Sequence, residues 1–372
     1  MGDPRNPALE AAIANDPFDR EAYLVYADWL EGQGDPRAQL IALQCSPHPE
    51  QHAGKAVRKL LADHQKSLLG PLARFASSLE WKYGFIHSVS LNDAAGPFDV
   101  NLASLMAHPS ARFLVSLYLS SRHLATTIDA LAAAPPTLRS LALGNEGAAP
   151  VALEALAPVL PRLGSLSLQG DFALDALARV PPCRLHKLTI IGRDGSGDLR
   201  GALGPALGEL TELFLRGRFA LDAIDLPALE VAELEVAQLT AEIGGAIAAA
   251  RWPKLRRLVV AAADPDALAP LLKRADLPAL TDLAIRRAVQ GERVCAMLSE
   301  APFAGQLRRL ELSHGTLDDR GAFALADHAH AFDQLEELDV SDNPLSDDGY
   351  ATLDSMGIVE IVDDRRYRSA DE

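Results

Sequence analysis

Cysteine is scarce: the chain contains three, Cys45, Cys183 and Cys295, scattered and odd in number. That excludes a disulfide framework and points to a reducing compartment. Aromatic residues make up 5%, so a core must come mainly from Leu, Ala and Val. Basic residues are outnumbered, 35 against 51 acidic, for a formal charge of −16. This balance argues against nonspecific attachment to nucleic acid or anionic membrane, which needs clustered Lys and Arg. Long apolar runs are missing as well: stretches such as Leu258 to Ala263 fall far short of the ~20 residues of a spanning helix. Met1 to Pro7 has no basic stretch leading into an apolar one, so no signal peptide is expected and a cytoplasmic protein is. What is present, 48% hydrophobic and 23% charged over 372 residues, is globular composition.

One pattern dominates. Leu-x-x-Leu-x-Leu, with Ile, Val or Phe allowed, recurs from Ile86-Val89-Leu91 through Leu210-Leu213-Leu215 and Val231-Leu234-Val236 to Leu335-Leu338-Val340. Its mean period is about 25 residues, and Ile358 with Ile361 reads as a degenerate last copy. The last two apolar positions alternate with polar ones, which predicts a short strand with one buried face. An Ala/Leu stretch at helical spacing follows, as in Leu153-Leu156-Leu160, Leu268-Leu271-Leu272 and Phe323-Leu325. Proline then ends many of these stretches, for example Pro161, Pro227, Pro253 and Pro278. Such units cannot bury an apolar face alone, but stacked in parallel they can.

The best copies, Leu335-Glu-Glu-Leu-Asp-Val-Ser-Asp-Asn343-Pro-Leu345 and Leu307-Arg-Arg-Leu-Glu-Leu-Ser-His-Gly315-Thr-Leu317, resemble leucine-rich repeats. They look like the helical subtype of ribonuclease inhibitor and Ran GTPase-activating protein. The resemblance covers about Ile86 to Ile361. It implies an α/β solenoid, a curved horseshoe with a parallel inner sheet and outer helices, of about 11–12 repeats over residues 81–372. The family's asparagine ladder is poorly kept: Asn343 fits, Gly315 replaces it, and the middle repeats show none. Irregular turns are therefore expected between about Leu143 and Ala262.

Residues 1–80 lack the repeat. Pro7 to Ala14, Arg20 to Glu31, Arg37 to Gln44 and Glu50 to Leu69 read as four helices, with Asp35-Pro36 capping the third. The string from Tyr23 through Trp29, Gly34 and Pro36 to Gln44, with Trp81-Lys-Tyr-Gly84-Phe85, resembles a bacterial repeat-companion domain. The resemblance implies architecture and no activity. Physically, such a segment would cap the first repeat, whose apolar face water would otherwise meet. Tyr23, Tyr26, Trp29 and Leu30 are then core or docking residues.

Few constellations suggest chemistry. Cys45, His48 and His52, with His64 as a fourth, have the spacing of zinc ligands, but no second cysteine pair completes the set. A buried cysteine beside exposed histidines is the competing reading. His328 and His330 lie two apart on an expected helix and face different ways; His314 stands alone after a strand. Asp318-Asp319 and Asp347-Asp348 precede expected helices and read as caps. Gly192-Arg-Asp-Gly195-Ser-Gly197 lacks the Lys-Ser/Thr of a phosphate loop and reads as a mobile loop. Lys55, Arg58, Lys59 and Lys66 read as a solvated helix face. No catalytic signature, cofactor or small-molecule substrate is indicated.

In-register stacking would place the residues between the apolar ones in columns on the concave face. Serines fill one column at Ser88, Ser116, Ser140 and Ser165, and charges alternate later at Arg257, Asp282, Arg309 and Glu337. These charges read as a salt-bridge ladder or as a recognition stripe. Tyr118, Ile191, Phe214, Arg216 and Arg286 are the candidate anchors for a protein partner. The expected function is a non-catalytic scaffold for an unidentified protein. The alternative, from the Ran GTPase-activating likeness, is regulation of a small GTPase through Arg216, Arg218 or Arg286.

Overall fold

The computed structural model describes residues 3–46, 54–179, 181–222, 224–236, 239–261 and 264–363, without the side chains of 194–196. The chain divides into two compact units, Met1–Phe172 and Ala173–Glu372.

The first unit opens with helices α1 (Pro7–Asn15), α2 (Arg20–Gly32), α3 (Arg37–Gln44) and α4 (Gly54–Asp63). Side-chain caps start three of them: Asn6 accepts from the Leu9 amide, Asp19 from Glu21 and Asp35 from Arg37. The expected fourth helix is broken at His64, so Lys66 lies in a separate turn, Gln65–Leu68. Strands β1 (Leu79–Lys82) and β2 (Phe85–Asn92) follow, then α5 (Phe98–Met106), β3 (Ser116–Ser121), β4 (Ser140–Asn145) and β5 (Ser165–Gln169). β1 lies antiparallel to β2, while β2 to β5 run parallel with Ser88, Ser116, Ser140 and Ser165 in line. Ile13, Tyr23, Tyr26, Leu30 and Ile41 from the helices share one core with Phe85 and Phe113 from the first repeats. Gly84 allows the approach of α3: at φ +76°, a Cβ there would lie 2.5 Å from Ile41 Cγ1.

The second unit carries β6 (Lys187–Asp198), β7 (Glu212–Ala220), β8 (Val231–Val236), β9 (Arg257–Ala261), β10 (Asp282–Arg286), β11 (Arg309–Glu311), β12 (Glu337–Asp339) and β13 (Glu360–Val362). Neighbours in this order pair in parallel. Ile361 aligns with Leu338, as the degenerate last copy requires. Helices α6 (Ala241–Ala249), α7 (Pro265–Leu272), α8 (Gly291–Ser299), α9 (Asp319–Ala326) and α10 (Asp347–Asp354) join the later strands. Gly244 brings α6 against α7, where a Cβ would meet the Ala267 carbonyl oxygen at 2.1 Å.

Three expectations change. First, the middle repeats return mainly through 3-10 turns, Ile128–Ala133 (after one α-helical turn, Leu124–Thr127), Leu153–Leu156, Leu174–Arg179 and Pro205–Leu207. Repeat length does not separate the two kinds of return: the repeats starting at Leu138, Leu185 and Leu255 each span 25 residues, and only the last returns through an α-helix, α7. Second, the expected loop at Gly192 to Gly197 is strand: β6 continues to Asp198 past an irregularity and pairs Gly197 with Phe219 of β7. Third, the frame of β8 is shifted by two residues. Ala232 and Leu234, not Leu234 and Val236, align with Leu213 and Leu215. An even shift preserves the buried face but moves Glu233 and Glu235 along the exposed one.

Candidate functional site

The exposed face of each sheet is built by the residues between the buried leucines. In the first unit it presents mainly small hydroxylic groups around Tyr118, which is 40% exposed. In the second unit, Phe214 pairs with Thr189 and Glu233, and Arg216 with Ile191 and Glu235. Lys187 sits with its ammonium 4.5 Å from the centre of the Phe214 ring and 2.8 Å from Glu212.

The third column gathers charge because of the β8 frame. Arg286 donates to Glu235 at 2.8 Å and to Glu311 at 2.6 Å, and Ser313 also donates to Glu311 at 2.7 Å. The small side chain of Ala261 between Glu235 and Arg286 leaves room for the long one to reach across. Burial alone would raise the Glu311 carboxyl, but hydrogen bonds from Arg286 and Ser313 outweigh it and hold it below the ordinary range. Arg216 approaches Glu235 at 3.7 Å and stays exposed. The ladder exists in part: Arg309 meets Asp282 and Glu337, each at 3.2 Å, while Arg257 turns to Glu233 at 3.4 Å.

Two open cavities lie side by side in this unit. One, about 360 Å³, has Thr189, Ile191 and Phe214 in its wall; the other, about 510 Å³, is lined by Arg193, Arg216, Arg218 and Arg287 with Glu235. They share Ile191, Arg216 and Glu235. Arg193 and Arg287 were not foreseen: the first falls in the stretch expected to be a loop, the second just past a strand end. Their signal was Ile191–Arg216–Glu235 in one column, hidden by Ala232 at a position where Leu is usual.

The remaining candidates separate. Cys45 is buried, and burial pushes its thiol up; His48 and His52 lie outside the described residues. Among the described residues, no three His, Cys, Asp or Glu side chains gather as a metal would need. His314 is not alone: its Nδ1 lies 2.8 Å from Asp342. His328 and His330 lie beyond α9 rather than on it, their rings 6.2 Å apart. Asp318 caps α9 through the Gly321 amide, but in the next repeat Ser346 is the cap and Asp347 and Asp348 fill the first turn. Asp319 reaches across to accept from the Ser346 amide and hydroxyl at 2.9 and 2.6 Å.

Asn343 performs the ladder role, donating to the Leu312 and Val340 carbonyls and accepting from the Gly315 and Leu317 amides. A second such residue was missed. Asn145, buried, donates to Ala149 and Asp171 carbonyls at 2.8 Å and accepts from Gly147. It stands one position before the usual place, so spacing alone did not find it.

Residues 307–326 and 335–353 match the family model of the leucine-rich repeat. No curated protein matches the chain. Among solved structures, a Bacteroides fragilis protein is 19% identical with a TM-score of 0.45, covering 83% of this chain and 82% of its own. A Listeria monocytogenes internalin is 16% identical, TM-score 0.40, over 80% of this chain and 96% of its own. A Leptospira interrogans leucine-rich repeat protein is 13% identical, TM-score 0.24, over 74% and 89%. Strands stacked in parallel at the repeat spacing make this chain an α/β solenoid, and two of its repeats match the leucine-rich repeat family model.

Proposed function

We propose that the chain is a non-catalytic scaffold that binds a protein partner on the exposed face of its parallel sheets. The observation that carries this reading is the display of Tyr118 in one unit, and of Phe214 and Ile191 beside the arginine-lined cavity in the other. Aromatic and arginine groups on an exposed sheet supply the anchors that protein interfaces use. In the same proposal residues 1–80 act as the N-terminal cap, supported by the core that α1 to α3 share with Phe85 and Phe113. The finer likenesses, to the ribonuclease inhibitor and Ran GTPase-activating subtype and to a repeat-companion domain, belong to this reading too, as does a cytoplasmic location. Among the described residues no helix is long and apolar enough to cross a membrane.

The test is affinity capture from native-host lysate with wild type, Tyr118→Ala and a Phe214→Ala/Arg216→Ala double variant, all with matched thermal melts. A protein held by wild type and lost from a variant is expected; equal recovery from all three would refute the face assignment. A small GTPase among such proteins would mark the regulatory alternative. Of its candidate arginines, Arg286 is already committed to Glu235 and Glu311.

A further inference from the structure

The arginine-lined cavity runs against the charge of the molecule. In a chain of formal charge −16, Arg193, Arg216, Arg218 and Arg287 line one concavity in which Glu235 is the single carboxylate among the described residues. Glu235 is itself held from the side by Arg286 at 2.8 Å, so its charge is largely answered before the cavity arginines are counted. Among the described residues, no hydrogen bond or ion pair engages the guanidinium of Arg218 or Arg287. Elsewhere in this unit several exposed arginines find acids, Arg200 with Asp198, Arg251 with Asp225 and Arg308 with Glu336, whereas among the described residues Arg184 and Arg320 stand singly on the surface. The guanidinium groups of Arg218 and Arg287 therefore bring to the cavity positive charge that no described acid meets. Such a concavity attracts anions locally, even when the net field of the protein repels them.

We infer that this cavity and its apolar neighbour together recognise an acidic segment of a protein partner, one that offers Asp or Glu carboxylates beside an apolar side chain. The inference rests on the scaffold reading and deepens it. Arg218 and Arg287, with Arg216 beside them, supply planar forks suited to carboxylates. Phe214 and Ile191 take the apolar side chain in the adjoining cavity, where Lys187, Glu233 and Glu235 of the lining are paired with Glu212, Arg257 and Arg286. Because the two cavities share Ile191 and Arg216, one short segment spans both.

Fluorescence anisotropy with the intact protein tests this. The probe is a fluorescein-labelled peptide, Gly-Asp-Glu-Leu-Glu-Asp-Gly, compared with its uncharged counterpart Gly-Asn-Gln-Leu-Gln-Asn-Gly. Saturable binding of the acidic probe is expected, about tenfold tighter or more than the uncharged one, and weakening with added salt. An Arg218→Gln/Arg287→Gln variant should lose about fivefold or more, and Phe214→Ala should also weaken binding; Arg308→Gln should not. Equal binding of the two probes, no saturable binding, or indifference to the arginine substitutions would overturn the inference. So would an oligothymidine that binds the cavity more tightly than the acidic probe. If lysate capture depends on Phe214 and Arg216 while the acidic probe shows no preference, the scaffold reading stands and this inference alone falls.

Discussion

Replacing Arg112 by methionine strikes the join between the helical segment and the first repeats. Arg112 lies just before β3 with a side chain 7% exposed. It donates to the Pro4 carbonyl at 2.9 Å, the Tyr26 hydroxyl at 2.8 Å, Glu10 at 3.0 Å, Pro109 at 3.0 Å, and to Asp3. Burial pulls its guanidinium down to about 10, which still leaves it charged at neutral pH. Methionine fills much of the space and donates nothing, so Glu10, 10% exposed, loses its buried cation. Breaking a buried pair from one side costs about 3–5 kcal/mol. Glu10 keeps Arg5 at 2.6 Å, though Arg5 is 62% exposed, which places the expected loss near the lower end, about 3 kcal/mol. Hydrogen exchange of the α2 amides reads that loss locally, as roughly a hundredfold faster exchange if these amides open with the unit. Adding Glu10→Gln to the methionine variant should restore part of the protection, because it removes the stranded charge. Exchange within threefold of wild type would refute the reasoning.

Asn343→Ala removes donated bonds to the Leu312, Val340 and Ser341 carbonyls and two accepted bonds at a buried turn; a loss of about 2–3 kcal/mol is expected in urea unfolding. Leu213→Asp puts a carboxylate at a fully buried position and should cost about 3 kcal/mol or more. A wild-type melt for that variant would refute the register of β7. Acid should destabilise both units. Burial alone would raise the Glu10 carboxyl, but hydrogen bonds from Arg5, the Asn6 amide and Tyr26 lower it below its ordinary 4.5, as those at Glu311 do. A depressed folded-state value gives stability that is complete above the unfolded value and lost as pH falls through the folded one. Unfolding free energy should thus drop below about pH 4.5, and Glu311→Gln should flatten that slope; an unchanged slope would count against the Arg286–Glu311 pair.

The repeat frame was legible because burial at Leu138, Leu141 and Leu143, and at Leu307, Leu310 and Leu312, follows from local alternation whatever the neighbours do. The serine column and the Arg309 pairs were legible for the same reason. Where a repeat departs from leucine, local signal points the wrong way: with Ala232 in the middle position, Leu229-Ala232-Leu234 fits the apolar pattern less well than Val231-Leu234-Val236. Only strand pairing across β7 and β9 sets the true frame. Asn145 was invisible because its partners, the Ala149 and Asp171 carbonyls, depend on how the following chain turns. Composition and periodicity thus determined a solenoid of parallel strands, since apolar spacing alone dictates what must be buried. Tertiary structure decided the register of β8 and the meeting of Arg193, Arg216, Arg218 and Arg287, because each depends on residues distant in the chain and close only after stacking.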